Sequence, residues 1–145
     1  MRELREPPPL RVRVRRNFPN DPTVRDDVAL LGRIPHWHFH FDTRLGRMRP
    51  RSAAFEDDAD GDPMPVYRRD FIDAEGGDLR RVTIGHEGFA LTSLTAGQFR
   101  SKDQTVFPDP LPEESAHAKI CGPKPGSVRR WFAKHAAWVI PPPAI

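Results

Sequence analysis

Apolar residues recur at helical spacing near the end of the chain. Six positions at i, i+3, i+4, i+7, i+8 and i+11 form one stripe: Val128, Trp131, Phe132, His135, Ala136 and Val139. This spacing is typical of an amphipathic helix that buries one face. Ser127 is a suitable N-cap, and the prolines at 141–143 stop a helix. The pattern therefore predicts a helix that begins after Ser127 and ends before residue 141.

Other stretches carry the patterns of strands. Apolar residues alternate with arginines over 10–15, which predicts a strand with one apolar and one cationic face. Residues 117–121 are predicted to form another strand. The apolar run 89–94 predicts a strand as well, followed by one helical turn over 96–100.

An earlier segment also has helical spacing. Asp21 and Pro22 suit the N-cap and the first position of a helix. Apolar residues then follow at helical spacing over 24–31, and Gly32 suits the end. This segment is therefore predicted to be a helix.

Strands and helices follow one another without the regular alternation that builds a parallel sheet. This order favours the α+β class, with a mixed or antiparallel sheet of short strands, two or three helices and proline-rich loops. We expect a single small domain over residues 10–140, with a flexible leader at 1–9 and a proline-rich tail at 141–145.

Composition narrows the class of protein. The chain has 145 residues, of which 17 are proline and one, Cys121, is cysteine. A single thiol excludes a disulfide framework and favours the reducing cytoplasm. No apolar run reaches the ~18 residues of a membrane-spanning helix, and the charged N-terminal residues lack the apolar core of a signal peptide. We therefore expect a soluble cytoplasmic protein with no membrane partner.

Charge is distributed unevenly along the chain. The first 52 residues hold 12 arginines and 6 acidic residues, whereas residues 53–78 hold 2 arginines and 9 acidic residues. A basic body attracts phosphate groups, because binding releases their counterions. It can equally bind the acidic segment of its own chain. The sequence leaves both outcomes open.

The segment from His36 to Asp42 alternates imidazoles with aromatic rings. In an extended chain Trp37, Phe39 and Phe41 share one face, which predicts that they enter the core. A His-x-His pair on the other face places two imidazoles about 6.6 Å apart at their Cα atoms, close enough to bind one metal ion. The metal would be zinc or manganese. The predicted ligands are His38, His40, His86 and His117.

The acidic loop over 56–63 has part of the spacing of a calcium-binding loop. Its twelfth position should be a bidentate glutamate and is Tyr67. A solvated acidic loop is therefore the preferred interpretation.

These observations lead to three hypotheses for function. The preferred one is a small binding module for an anionic partner, either nucleic acid or an acidic protein surface. The alternatives are a metal-dependent hydrolase that uses the His-x-His pair and a structural subunit of a larger assembly. The sequence leaves open whether the chain is an enzyme. The predicted anion-binding residues are Arg11, Arg13, Arg15, Arg44, Arg47, Arg49 and Arg51.

Overall fold

Two sheets carry most of the regular structure. The computed structural model describes residues 18–143, so the strand predicted at 10–15, with Arg11, Arg13 and Arg15, lies outside the described residues. Within 18–143 the strands are β1 (Ala29–Ile34), β2 (Phe39–Asp42), β3 (Arg47–Pro50), β4 (Met64–Arg68), β5 (Ala90–Thr95), β6 (Thr105–Pro108), β7 (His117–Cys121) and β8 (Ala137–Ile140).

Six of these strands form the larger sheet. They pair in the order β6-β7-β4-β1-β5-β8, and every pairing is antiparallel. The remaining two, β2 and β3, form a separate antiparallel hairpin.

Short helices connect the strands. The α-helices of the described chain are α1 (Arg69–Ala74), α2 (Ala96–Arg100) and α3 (Gly126–His135), and 3-10 turns lie at His36–His38, Ser52–Phe55 and Leu79–Val82. Together with the antiparallel sheet, these helices confirm the α+β class. No helix among residues 18–143 combines the length and the apolar character needed to cross a membrane.

One face of the larger sheet carries the main hydrophobic core. Phe132 from α3 and Phe99 from α2 meet there with ring centroids 4.9 Å apart. Phe55, from the 3-10 turn that precedes the acidic loop, lies 6.0 Å from Phe132. All three rings are buried. The core therefore joins the acidic loop to the helices on this face.

The opposite face carries a second, smaller core. Ile72 from α1 and Val82 from the 3-10 turn at 79–82 pack there against Leu31 and Leu91. Neighbouring residues of a strand point to opposite faces. The sheet is therefore covered on both sides.

The predicted helix over 21–31 is wrong, because residues 29–34 form β1 in the centre of the sheet. Leu30 and Leu31 are both buried, one on each face, so the strand shows no apolar-polar alternation. Asp21 does not begin a helix either. Its carboxylate accepts hydrogen bonds from the backbone N–H and the hydroxyl of Thr23, at 2.9 and 2.6 Å, which is typical of a turn.

The final helix is shorter than predicted. α3 ends at His135, and the next four residues from Ala137 form β8 beside β5. Aromatic and β-branched residues fit a strand well where a sheet edge is available. The indole N–H of Trp138 donates to the carbonyl oxygen of Met48 at 3.1 Å, so β8 also holds the hairpin in place.

Other local predictions are confirmed. β7 covers the predicted residues 117–121, β5 lies within one residue of its prediction, and α2 is the helical turn predicted at 96–100. Thr95 and Gln98 cap α2 reciprocally, with hydrogen bonds of 2.8 and 3.1 Å between backbone N–H groups and side chains. This capping box satisfies donors of the first helical turn.

Candidate anion-binding surface

The β2–β3 hairpin gathers the arginines of the region 44–51. Its strands pair in antiparallel register with Asp42 opposite Arg47. Alternate residues of a strand share a face, so Arg47 and Arg49 lie on the same side of the hairpin. Arg51 continues this alternation because its backbone is extended, with φ −79° and ψ 152°. One side of β3 and its continuation is therefore a row of arginines.

Asp42 fixes the turn of this hairpin. Its Oδ1 accepts the backbone N–H groups of Arg44 at 2.9 Å and Leu45 at 3.1 Å, and its Oδ2 accepts from the Arg49 guanidinium at 2.9 Å. Gly46 completes the turn with φ +68°, which glycine adopts without steric cost. The hydrogen bond from Arg49, followed by that from the backbone of Leu45, holds the pKa of Asp42 below its usual value.

Three arginines of the hairpin remain available to a partner. Arg44, Arg47 and Arg51 are exposed, and within residues 18–143 none of them has a carboxylate within 4.0 Å. Arg49 differs, because its charge is paired with Asp42. Of the four arginines predicted here to bind an anion, three therefore have no charged partner in the part of the chain that the structure describes.

The acidic loop binds to the C-terminal half of the chain and not to the hairpin. Glu56 accepts a hydrogen bond from the Arg129 guanidinium at 2.9 Å. Asp57 Oδ1 lies 2.6 Å from the Nζ of Lys124, a side chain that is only 4% exposed. Lys124 also donates to two backbone carbonyl oxygens around the end of β7. The chain thus neutralises part of its acidic segment without using the hairpin arginines.

Three further carboxylates of this loop lie close together. Oxygens of Asp58, Asp60 and Asp62 are within 4.8 Å of one another. Burial, together with repulsion from Asp60 and Asp62, raises the pKa of Asp58. The backbone N–H of Asp62 donates to the Asp60 carboxylate at 3.1 Å. These contacts describe a tight acidic turn.

The histidine segment is extended only in its second half. Residues 36–38 form a 3-10 turn, and the strand begins at Phe39. Trp37 is 58% exposed and Phe41 is 50% exposed, whereas Phe39 packs against the main core. The prediction that all three rings enter the core is therefore wrong for two of them. The physical reason is that β2 and β3 form a separate two-stranded ribbon, and only one end of this ribbon contacts the core.

The four predicted metal ligands occupy three different places. His38 and His86 line one cavity near the end of β1, while His40 lies on the hairpin and His117 on β7. His117 Nδ1 lies 2.9 Å from the carbonyl oxygen of Asp109 and 3.3 Å from its carboxylate. Among residues 18–143, no group of three or more closely spaced ligand side chains includes a histidine. The metal-dependent hydrolase stays a prediction from sequence.

The turn at Asp42 has a signal in the local sequence, whereas the docking of the acidic loop has none. Asp42 stands four residues before Gly46, a spacing that indicates a turn with an aspartate side chain bound to its backbone. The docking of the acidic loop has no local signal, because Glu56 and Arg129 are 73 residues apart.

Known proteins give no guide to this surface. The chain has no significant match to a protein-family model, a curated protein or a solved structure. The geometry of the chain itself is therefore the guide to its function.

Proposed function

We propose that the chain is a binding module for an anionic polymer, and that the β2–β3 hairpin binds the phosphate backbone of a nucleic acid. The observation that carries this proposal is the exposed set of Arg44, Arg47 and Arg51, which have no carboxylate partner within residues 18–143. Arg49 stands between them and supports the turn through Asp42.

The spacing of these arginines suits a polyanion. Alternate residues of a strand are about 6.6 Å apart, so Arg47 and Arg51 are about 13 Å apart at their Cα atoms. A guanidinium group can donate two parallel hydrogen bonds to one phosphate. Arg47 and Arg51 can therefore contact two phosphates of one strand, and each contact releases counterions.

A nucleic acid fits this row better than an acidic protein surface does. Phosphates repeat regularly along a nucleic acid, so one strand can place one phosphate at Arg47 and another about 13 Å away at Arg51, whereas the carboxylates of a protein surface need not repeat. Phe41 lies on the other side of the same ribbon and is 50% exposed. It offers a ring on which an unpaired base can stack where the strand passes round the turn of the hairpin at Arg44. These features favour a single strand.

Fluorescence anisotropy with a labelled single-stranded oligonucleotide tests the proposal. Three phosphate contacts on a single strand give a slope of roughly −2 in log K against log salt. Affinity should therefore fall about fifteenfold between about 50 and 200 mM salt. Each of the single variants Arg44→Gln, Arg47→Gln and Arg51→Gln should reduce that slope by about 0.7.

Arg80→Gln is the matched control. Arg80 is exposed, and its 3-10 turn packs on the opposite face of the larger sheet from the one that the hairpin contacts. We expect this variant to keep the wild-type slope. That result would show that the slope depends on the hairpin arginines and not on net charge alone.

Two results would overturn the proposal. One is a triple variant, with all three arginines replaced by glutamine, that binds the oligonucleotide with wild-type affinity and slope. The other is a wild-type protein that binds poly-glutamate but not the oligonucleotide, because that outcome assigns the hairpin to an acidic protein partner. Circular dichroism on each variant checks that the fold is kept.

A further inference from the structure

The larger sheet opens between its two central strands. β1 and β4 pair only at Leu30 with Arg68 and at Leu31 with Tyr67. Beyond that point β1 continues to pair with β5 as far as Ile34, and β4 continues to pair with β7. The two strands therefore separate from each other while each remains held by its other neighbour.

A proline explains why they separate. The backbone N–H of Arg68 donates to the carbonyl oxygen of Ala116, on the β7 side of β4, at 2.9 Å. Backbone groups alternate in direction along a strand, so the N–H at position 65 would point towards β1. Residue 65 is proline and has no N–H. The next hydrogen-bonded pair with β1 therefore loses its donor.

A cavity of about 600 Å³ lies at this opening. Its volume falls in the range of about 300–1,000 Å³ that is usual for small-molecule sites. Its floor is apolar and includes Val66, Leu94 and Phe99, all of which are buried. Such a floor favours the apolar part of a ligand by removing it from water.

Aromatic rings form one wall of the cavity mouth. Trp37 and Phe89 meet edge to face with centroids 5.9 Å apart, and His86 lies 5.0 Å from Phe89. Trp37 is the most exposed of the tryptophans in the described chain, at 58%. Burial, and then the nearby charge of Arg33, lowers the pKa of His86. His86 is therefore neutral near pH 7 and can donate a hydrogen bond from one ring nitrogen.

Arg33 carries the unpaired positive charge of this site. Among the described residues that line the cavity it is the only lysine or arginine, and within residues 18–143 it has no carboxylate within 4.0 Å. Its Nη1 donates to the carbonyl oxygen of Val82 at 3.3 Å, and its guanidinium lies 5.2 Å from the centre of the Tyr67 ring. These contacts hold the guanidinium in place and leave other N–H groups for a ligand.

The acidic residues of the lining are mostly neutralised. Glu56 is paired with Arg129 and Asp57 with Lys124. Asp58 has no such cation within residues 18–143. The packing of the loop partly desolvates its carboxylate, but Asp58 is more exposed than Arg33, so water screens its charge more. Arg33 is half-buried, so its charge is screened less and acts more strongly on a ligand in the cavity.

We infer that this cavity binds a small amphipathic molecule with one anionic head group. The apolar body lies against Leu94 and Phe99, and the head group pairs with Arg33 beside the aromatic wall. A carboxylate and a phosphate monoester share the required chemistry, and both match the fork of a guanidinium. This site is separate from the arginine row of the hairpin.

Four probes that share a ten-carbon chain test the inference: decanoate, decyl phosphate, decanol and decyltrimethylammonium. Binding is measured by calorimetry, and the site is located from amide and indole shifts in two-dimensional NMR. At least one anionic probe should bind about tenfold tighter than decanol, because a charged hydrogen bond contributes a factor of that order. The comparison of decanoate with decyl phosphate identifies the head group. Shifts should centre on Trp37, His86 and Phe89.

Variants of Arg33 separate the contribution of the head group to affinity from that of the apolar floor. Arg33→Gln should reduce the affinity for the anionic probe to that for decanol, and leave decanol within about twofold. Arg33→Lys should keep part of the preference, since it keeps the charge and loses the fork. Lys134→Gln removes an exposed charge on α3 and should change neither affinity.

Three outcomes would overturn the inference. They are equal affinity for decanol and both anionic probes, tightest binding of the cationic probe, and shifts that centre away from the cavity mouth. If Arg33→Gln does not fold, the probe series on the wild-type protein decides the matter without it.

Discussion

Lys124 is the side chain whose replacement tests the arrangement of charge most directly. Its Nζ contacts Asp57 at 2.6 Å and the carbonyl oxygens of Ile120 at 2.8 Å and Gly122 at 3.2 Å. Lys124→Met keeps most of the aliphatic stem and removes the ammonium group. The substitution therefore tests the charged contacts and leaves most of the packing in place.

The expected loss follows from the surroundings of each partner. The carbonyl oxygens lose a charged donor at a site closed to water, and such hydrogen bonds contribute about 1.5–3 kcal/mol. The Asp57 side chain is 37% exposed, so its ion pair adds only about 0–1 kcal/mol. We expect the free energy of unfolding to fall by about 3 kcal/mol. For a chain of 145 residues this lowers the melting temperature by roughly 6–12 °C.

Urea denaturation followed by tryptophan fluorescence measures this loss. Lys134→Met is the matched control, because Lys134 is exposed on α3, and it should change the free energy of unfolding by less than about 0.5 kcal/mol. Asp57→Asn, alone and combined with Lys124→Met, gives the coupling energy between the two side chains. Equal stability of Lys124→Met and Lys134→Met would refute the stabilising role assigned to the Lys124 ammonium group.

Three further changes have defined outcomes. Phe132→Ala removes a fully buried ring and should lower the free energy of unfolding by about 3–5 kcal/mol in urea denaturation. Gly122→Ala should be less stable than Gly76→Ala in thermal unfolding: both glycines have positive φ, but only at Gly122 would a Cβ meet a backbone oxygen, at 2.6 Å. Equal losses would contradict this. Arg49→Gln should raise the pKa of Asp42 towards its usual value in an NMR titration, because the Arg49 hydrogen bond is the largest cause of the lowering. Since a lowered carboxyl pKa contributes stability above the unfolded value of about 3.9 and loses it as pH falls through the folded value, this variant should lose less stability on acidification. An unchanged Asp42 titration would contradict this assignment.

The elements that the sequence predicted correctly are those with local signals. α2 begins at a capping box between Thr95 and Gln98, and β7 is a short run bounded by loops. β1 and β8 were predicted as helical because their apolar residues also fit helical spacing. What makes these segments strands is their tertiary contacts. β1 is buried on both faces, and β8 completes an edge beside β5. Apolar spacing alone does not distinguish these strands from helices.

The candidate site likewise has one part that the sequence predicted and another that it did not. The composition of residues 44–51 located the arginine cluster, since the cluster is contiguous in sequence. Which arginines are unpaired could not be predicted, because that depends on where the acidic loop binds. The cavity depends on Pro65, whose missing donor matters only once β1 is known to be its neighbour.

The attachment of the acidic loop affects both proposed sites through one pair of cations. Lys124 and Arg129 pair with Asp57 and Glu56, so among residues 18–143 these two carboxylates do not neutralise the exposed arginines of the hairpin. The same contacts neutralise two carboxylates at the cavity, so Arg33 sets the sign of the local field. A folded chain with Lys124→Met would gain one unpaired negative charge beside that cavity. The affinity for an anionic probe should then fall while that for decanol stays the same. If the preference for the anionic probe over decanol survived the change, binding in the cavity would not depend on how the loop docks.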